Sequence, residues 1–301
     1  MSHPRGAALA ALVCVTAALL PPAPAQAFCQ TRTCDPRRDT CERDGNFCIT
    51  SGHALYWPSA CVTFSVQQDA SARHGIGADD AERVAELAFG AWLDADCAGT
   101  TPSIVVEAAQ RTRCGEPEYN TDGGNANILI FRDDDWPVEN SVHALALTTV
   151  WFDPESGRIY DVDVEVNGTA GPVTITTPEA GADLQSILTH EFGHFLGLSH
   201  SENEQAVMRK FYDAGGDDLR ALRADDAAGI CTIYPPNRLI TRTDCSPRHG
   251  FSRVCNGGEP ARACSLGAGP AADGGYGGVY ALAALGAGAL VLGRARRRRR
   301  A

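Results

Sequence analysis

The chain has 301 residues, of which 44% are hydrophobic, and its formal net charge at pH 7 is −11. This length and composition suffice for one sizeable core with appended segments. Seven arginines lie in the terminal segments, at positions 5, 294 and 296–300, so the rest of the chain is more acidic still. Such an acidic chain argues against nucleic acid as a partner.

The first 27 residues have the pattern of a secretory signal peptide. Arg5 provides the positive start, residues 7–20 are apolar, and Ala25-Gln26-Ala27 forms a small-residue cleavage site. We therefore expect the protein to be exported, and to be extracellular or on the cell surface.

Twelve cysteines in an exported chain predict disulfide bonds. Cys14 leaves with the signal peptide and Cys264 lies in the tail. The other ten are Cys29, Cys34, Cys41, Cys48, Cys61, Cys97, Cys114, Cys231, Cys245 and Cys255. An even number allows five bridges with no free thiol, but it does not give their connectivity. For Cys114 the natural partner is Cys97.

The N-terminal part of the mature chain changes character near Tyr56. Residues 28–54 are polar and rich in cysteine, which indicates a cross-linked segment too short for its own core. The alternation over residues 62–66 then predicts a strand. Acidic residues at Asp79 and Asp80, followed by apolar residues at helical spacing, predict a helix. Two further strands are predicted at residues 103–106 and 128–131.

The second half predicts a hairpin and two helices. The hairpin covers residues 144–166 and turns at Pro154. One helix should begin after the N-cap Asp183 and end at about Leu196. Another should cover residues 224–234, where two prolines end it. This order of elements predicts an α+β domain with one mixed sheet.

The stretch HEFGHFLGLSH in the first of these helices carries three histidines. His190 and His194 are about 40° apart on a helix, so both imidazoles can reach one point. Gly197 lets the chain turn back so that His200 approaches from outside the helix. These three side chains predict a zinc site with an open fourth position for water, whose pKa falls towards about 7. Glu191 is the predicted general base.

The stretch also matches the signature H-E-x-x-H-x-x-G-x-x-H, and the chain resembles the metzincin metalloproteases, in particular the matrixin branch. Ser201 follows the third histidine, and Met208 lies where matrixins carry the methionine of their Met-turn. The resemblance covers roughly residues 55–236. It implies a zincin-like fold: a twisted mixed β-sheet, an active-site helix, and a small C-terminal subdomain with a final helix. It also implies endopeptidase activity on proteins or peptides, a substrate cleft along an edge strand, and structural support of the zinc ligands by Met208.

Some residues depart from the matrixin pattern. Lys210 stands where a proline usually follows the Met-turn. The remaining histidines are scattered, so one catalytic zinc is predicted and no second, structural zinc. Calcium at acids of the hairpin is a further possibility: Asp153, Glu155, Asp161 or Asp163. Residues 113–118, RCGEPE, resemble a propeptide cysteine switch but lie inside the domain, which favours a bridged Cys114.

The tail, residues 264–301, combines a cysteine, a small-residue spacer, an uncharged segment and terminal arginines. The twenty residues 274–293 would span a bilayer at about 1.5 Å per residue, with the arginines in the cytoplasm. The tail resembles the myxobacterial-type C-terminal sorting signal, which implies cleavage near Cys264 and attachment to the membrane surface. Residues 237–263 are then a cysteine-containing linker.

The sequence leaves three interpretations of the chain. The leading one is a monomeric, secreted or surface-held, zinc-dependent endopeptidase. The second is a catalytically silent, zinc-binding adhesin or binding protein on the same scaffold. The third is an ordinary amphipathic helix with chance histidines.

Overall fold

The computed structural model describes residues 27–136, 143–176, 181–212, 216–240, 243–257 and 278–287. Within these residues the chain forms an α+β fold in which helices pack on one face of a mixed β-sheet. This confirms the fold class predicted from the sequence. Residues 1–26 of the predicted signal peptide, which covers residues 1–27, lie outside the described residues.

The elements follow one another in this order. The strands are β1 (Cys29–Gln30), β2 (Cys61–Val66), β3 (Val105–Ala108), β4 (Ile128–Arg132), β5 (Ala144–Phe152), β6 (Ile159–Asn167), β7 (Val173–Thr174), β8 (Ala182–Asp183), β9 (Leu198–Ser199), β10 (Phe211–Tyr212) and β11 (Gly278–Ala287). The helices are α1 (Ala78–Leu93), α2 (Leu184–Phe195) and α3 (Ala224–Ile233), with a 3-10 helix at Asp218–Arg220.

Five strands form the centre of the sheet, in the order β5-β6-β4-β2-β3. All neighbours are parallel except β5 and β6, which form the predicted hairpin. Gly157 in the hairpin turn has φ +73°, and a Cβ there would lie 2.1 Å from the carbonyl oxygen of Ala54. Only glycine fits this turn, because both the backbone angle and the close contact exclude a side chain.

Strand β6 shows that the sheet has two different faces. Val162, Val164 and Val166 belong to the main apolar core with α1 and α2, and we call this side the helix face. The alternating residues point to the other side. They are Asp161, Asp163 and Glu165, and all three are buried. We call this side the acidic face.

Helix α2 begins at the predicted N-cap. The side chain of Asp183 accepts a hydrogen bond from the backbone N–H of Ser186 at 2.9 Å, which satisfies one of the free donors of the first turn. Phe192 stacks on Phe89 of α1 with a centroid distance of 3.6 Å. These contacts fix the helix that carries two of the three histidines against the core.

All ten cysteines within the described residues are paired. The bridges are Cys29–Cys48, Cys34–Cys41, Cys61–Cys245, Cys97–Cys231 and Cys114–Cys255. The expected pairing of Cys97 with Cys114 is wrong. Proximity in sequence misleads here, because Cys97 follows α1 and meets α3, whereas Cys114 lies on the acidic face.

The sequence suggested a linker at residues 237–263, and part of this segment packs on the domain. Its residues 243–257, which we call the C-terminal strap, are bonded to the sheet region through Cys245 and Cys255. Phe251 of the strap packs on an apolar cluster of the acidic face, and the backbone N–H of Ser252 donates to the carbonyl oxygen of Asn125 at 3.0 Å. The strap therefore covers the acidic face.

The part of the tail that the structure describes is extended. Strand β11 pairs antiparallel with β5 and parallel with β10. The sequence predicted a bilayer-spanning segment over residues 274–293, but residues 278–287 form a strand. Glycine within the segment disfavours a helix, and the unpaired backbone groups at the edge of β5 can form hydrogen bonds with an added strand. Across the described ranges, none of the helices combines the length and apolar character needed to cross a membrane. Residues 264–277 and 288–301 lie outside the described residues.

Candidate active site

The structure brings the three predicted histidines together. His190 and His194 project from one face of α2, and His200 reaches the same point after the chain turns at Gly197, where φ is +98°. One nitrogen of each ring lies within 4.8 Å of the others. The Nε2 atoms of all three rings are buried and have no hydrogen-bond partner among the described residues.

Two of the rings are oriented by hydrogen bonds to the backbone. His190 Nδ1 lies 2.7 Å from the carbonyl oxygen of Val207, and His194 Nδ1 lies 2.9 Å from that of Leu198. A carbonyl oxygen only accepts, so Nδ1 carries the proton in both rings. The lone pair of Nε2 is therefore free and points into the cluster, which is the usual arrangement of a metal-ligating histidine.

The electrostatics favour neutral imidazoles. Burial lowers the pKa of His194 to about 4 and that of His200 to about 3. The pKa of His190 is well below its ordinary value, first through burial and then through the two neighbouring rings. Three neutral, unpaired nitrogens at this separation fit zinc, since imidazole binds the metal only in its neutral form.

Glu191 lies beside the cluster and is fully buried. Its Oε2 accepts a hydrogen bond from the Thr148 hydroxyl at 2.6 Å, and its Oε1 has no partner among the described residues. Burial raises the pKa of this carboxyl group to about 8, and the hydrogen bond from Thr148 opposes the rise. One oxygen is therefore held by the sheet, while the other is free to accept a proton.

Met208 packs against helix α2 at Gly193. A Cβ placed on Gly193 would lie 2.2 Å from the Met208 sulfur, so the thioether packs against the bare backbone of α2 between the two histidines. The backbone N–H groups of Val207 and Met208 both donate to the carboxylate of Asp226, at 2.8 and 3.1 Å. The Met208 side chain thus packs against the helix that carries two of the histidines.

Sequence reasoning missed the two acids that begin α3. Asp226 holds the Met208 segment, and Asp225 accepts from the Ser201 hydroxyl at 2.7 Å and from the backbone N–H of Phe28 at 3.1 Å. Adjacent acids at a helix start usually signal only the helix dipole. Their burial, which would have pointed to a second role, is not visible in the sequence.

An open cavity lies beyond His200, at the side of the Met208 segment. Its lining mixes acidic and basic side chains, including Glu202, Glu204, Arg209 and Lys210. Lys210, in the place where a proline was expected, lies over the ring of Phe211 at 5.6 Å. A charged and partly aromatic wall therefore borders this side of the site.

The acids predicted as calcium ligands do not form one group. Asp153 accepts from the backbone N–H of Glu155 in the hairpin turn at 2.8 Å, and Asp163 accepts from two backbone N–H groups of the acidic face. Asp161 differs, because both of its oxygens are buried and lack a partner among the described residues. Burial and the neighbouring Asp163 raise its pKa well above the ordinary value. Calcium binding stays a prediction, and Asp161 is its best-placed acid.

Comparison with known proteins is consistent with this geometry. Residues 116–235 match the family model Peptidase_M10, described as Matrixin. The chain is 28% identical over 204 residues to matrix metalloproteinase-C of Caenorhabditis elegans, covering 64% of this chain and 31% of that protein. It is 37% identical over 111 residues to metalloendoproteinase 1-MMP of Arabidopsis thaliana, covering 33% and 28%. It is 33% identical over 138 residues to matrix metalloproteinase-25 of Mus musculus, covering 42% and 22%.

These similarities support a matrixin-like metalloprotease catalytic domain in this chain. The matches span between about a fifth and a third of the length of these three relatives. The family match ends at residue 235, close to the predicted end of the domain, but it begins at residue 116 and not at 55. Residues 55–115 nevertheless supply β2, β3 and α1 to the same sheet and core.

Proposed function

We propose that this protein is a zinc-dependent endopeptidase that hydrolyses peptide bonds of protein substrates. The observation that carries the proposal is the convergence of three buried Nε2 atoms without partners beside a buried carboxylate that has one free oxygen. A set of chance histidines on an amphipathic helix would have no reason to converge. A silent binding protein would have no need for the free carboxylate oxygen.

The roles follow from the contacts of each side chain. His190, His194 and His200 would hold the zinc ion through Nε2. Bound there, zinc would supply a Lewis acid that activates water and polarises a carbonyl group. The free Oε1 of Glu191 would accept a proton from the attacking water and pass it to the leaving amine. Met208, Asp225 and Asp226 would keep the third histidine and the helix in place.

A substrate would bind in an extended conformation along β5. In the structure the edge of β5 is paired with β11, which supports the suggestion that this edge accepts an extended chain. A peptide substrate would take the place of β11. The mixed charges around Lys210 border the same side of the site and would contribute to side-chain preference.

We also propose that the enzyme acts outside the cell. Five disulfide bonds fit an oxidising compartment, and residues 1–27 have the features of an export signal. Attachment to the surface near Cys264 rests on the pattern of the tail. Mass spectrometry of the mature protein would test it, and intact peptides spanning residues 263–294 would contradict cleavage at that point.

The test of the activity uses the full chain and residues 28–263, with casein or gelatin as substrate. Both forms are assayed with zinc and after treatment with a chelator. We expect zinc-dependent cleavage and about one zinc ion per chain after dialysis. His200→Ala should weaken zinc binding and abolish cleavage, whereas His249→Ala, which changes an exposed histidine outside the site, should do neither. Stable zinc binding without any cleavage would favour the silent adhesin.

A further inference from the structure

The core-facing residues of β5 are apolar except at one position. Ala146, Val150 and Phe152 lie in the apolar clusters of the helix face, and Thr148 lies between them, fully buried. A buried hydroxyl is costly unless it is hydrogen-bonded, and valine has nearly the same shape without that cost. The presence of threonine at this position therefore needs a reason.

The contacts of Thr148 give one. Its Oγ1 lies 2.6 Å from Oε2 of Glu191 and 3.4 Å from the backbone oxygen of the same residue. The hydroxyl of Thr148 is the donor in this hydrogen bond, and the carboxyl oxygen Oε2 is the acceptor. When Glu191 is ionised, as a general base must be, this short hydrogen bond is among the stronger kinds found in proteins.

We propose that Thr148 is a positioning residue for Glu191, an inference that rests on the proposed peptidase function. The hydroxyl holds Oε2 and thereby turns Oε1, which has no partner among the described residues, towards the cluster of histidine nitrogens. A glutamate side chain has several rotatable bonds, whereas a general base must stay within hydrogen-bond reach of its proton. The hydrogen bond from the sheet removes that freedom before substrate binds.

The alternative is that Glu191 merely satisfies the buried hydroxyl of Thr148, with no consequence for catalysis. The two interpretations predict different results for a variant that lacks the hydroxyl. Under the positioning role, turnover falls while substrate affinity stays. Under the alternative, only stability changes.

The kinetic test compares Thr148→Val with Thr148→Ser in the zinc-loaded full chain. We expect kcat of the valine variant to fall by about 10- to 100-fold, less than the roughly 10²- to 10⁴-fold that a whole general base contributes, with little change in KM. The serine variant keeps the hydroxyl and should recover most of the rate. Thr149→Val is the matched control, because Thr149 pairs with Asp163 and points to the acidic face. Its kcat should be unchanged.

A second measurement needs neither zinc nor activity. In the metal-free protein, Thr148→Val leaves Oε2 of Glu191 without a donor and should lower Tm. In a Glu191→Leu background the Thr148 hydroxyl keeps only the 3.4 Å contact with the backbone oxygen of residue 191, so the same change should raise Tm. The expected result is thus a reversal of sign between the two backgrounds.

The outcomes distinguish a failure of the proposed function from a failure of the positioning role. If the wild type shows no zinc-dependent cleavage, the proposed function is wrong and the positioning role falls with it. If the wild type cleaves but Thr148→Val keeps its kcat, only the positioning role is overturned. A change in Tm of the same sign in both backgrounds would also overturn it.

Discussion

Both faces of the central sheet bury polar groups, but the two faces differ in how many of these groups have hydrogen-bond partners. On the helix face the polar groups next to the sheet are few, and atoms such as Oε1 of Glu191 and Nε2 of the histidines have no partner among the described residues. On the acidic face most of the polar atoms are paired. Asp163 accepts from two backbone N–H groups, and Glu165 forms an ion pair with Arg132 at 2.6 Å.

This difference indicates that the two faces of the sheet have different roles. Unpaired buried polar atoms are costly, and they persist where a ligand or a reaction uses them. Paired ones fix the position of the segments that contribute them. We therefore infer that replacing the unpaired polar groups of the helix face lowers activity while the fold persists. Replacing the paired polar groups of the acidic face should lower stability while the activity of the folded protein persists.

The largest expected effect is on the helix face. Glu191→Gln should lower kcat by about 10²- to 10⁴-fold, because the amide cannot accept the proton. Zinc content and Tm should stay close to those of the wild type, since the residue holds no metal. Glu86→Gln, at an exposed carboxylate of α1, is the control and should keep full activity. A Glu191→Gln variant with near wild-type turnover would show that another group is the base.

The next effect concerns the cover of the acidic face. Replacing Cys114 and Cys255 by serine releases a loop of 141 residues, for which loop-closure entropy gives a loss of about 5 kcal/mol. The matched pair Cys34 and Cys41 closes only 7 residues, and the same relation gives about 2 kcal/mol. Chemical denaturation would measure both. Equal losses would mean that the strap contributes little to the stability of this face.

A smaller effect is expected at Asp163. Asp163→Ala leaves the backbone N–H groups of Glu118 and Ile128 without their acceptor, which should cost about 1–3 kcal/mol. The kcat of the folded fraction should not change. Asp122→Ala, at an exposed acid of the same region, should leave the stability unaltered. A large fall in kcat for Asp163→Ala would contradict the inference that the acidic face affects stability only.

The smallest effect depends on pH. The folded protein favours the protonated form of Asp161, because burial raises its pKa well above the ordinary value. The stability gained in this way is fully present below about pH 4, the unfolded value, and is lost as the pH rises through the higher folded value. Asp161→Asn should therefore match the wild type at low pH and be more stable at neutral pH. Thermal unfolding across this pH range would show it.

Bound calcium would change the difference in stability between the wild type and Asp161→Asn at neutral pH. If a cation binds Asp161, adding calcium should raise the Tm of the wild type at neutral pH and leave that of Asp161→Asn unchanged. Without a response of the wild type, the calcium prediction is wrong and Asp161 is simply a buried acid.

The sequence predicted the features that depend on local spacing. Helix α2, its N-cap Asp183 and the approach of His200 follow from a few consecutive residues, as does the hairpin of β5 and β6. Strand β3 was predicted two residues too early, because its side chains are mostly exposed and its alternation is weak. Features that depend on distant contacts were not predictable. The partners of Cys97 and Cys114, and the contact of Asp225 with Phe28, all join segments more than 100 residues apart.

Thr148 illustrates the same limit in a single residue. A threonine in a strand is ordinary, since β-branched residues favour strands. Only the register of β5 against β6, which places Thr148 opposite Val164 on the helix face, reveals that a polar group interrupts an apolar row. The identity of its acceptor requires the position of α2 as well.

The long disulfide bonds have a consequence for the order of events during biosynthesis. Cys61, Cys97 and Cys114 emerge first, and their partners follow 184, 134 and 141 residues later. All three histidines and Glu191 lie inside these loops. These three thiols must stay unpaired until the strap and α3 have been synthesised, and premature oxidation would join them to one another. The loops that contain the histidine cluster are therefore closed late, and the timing of oxidation, as well as its extent, governs the yield of correctly bridged protein.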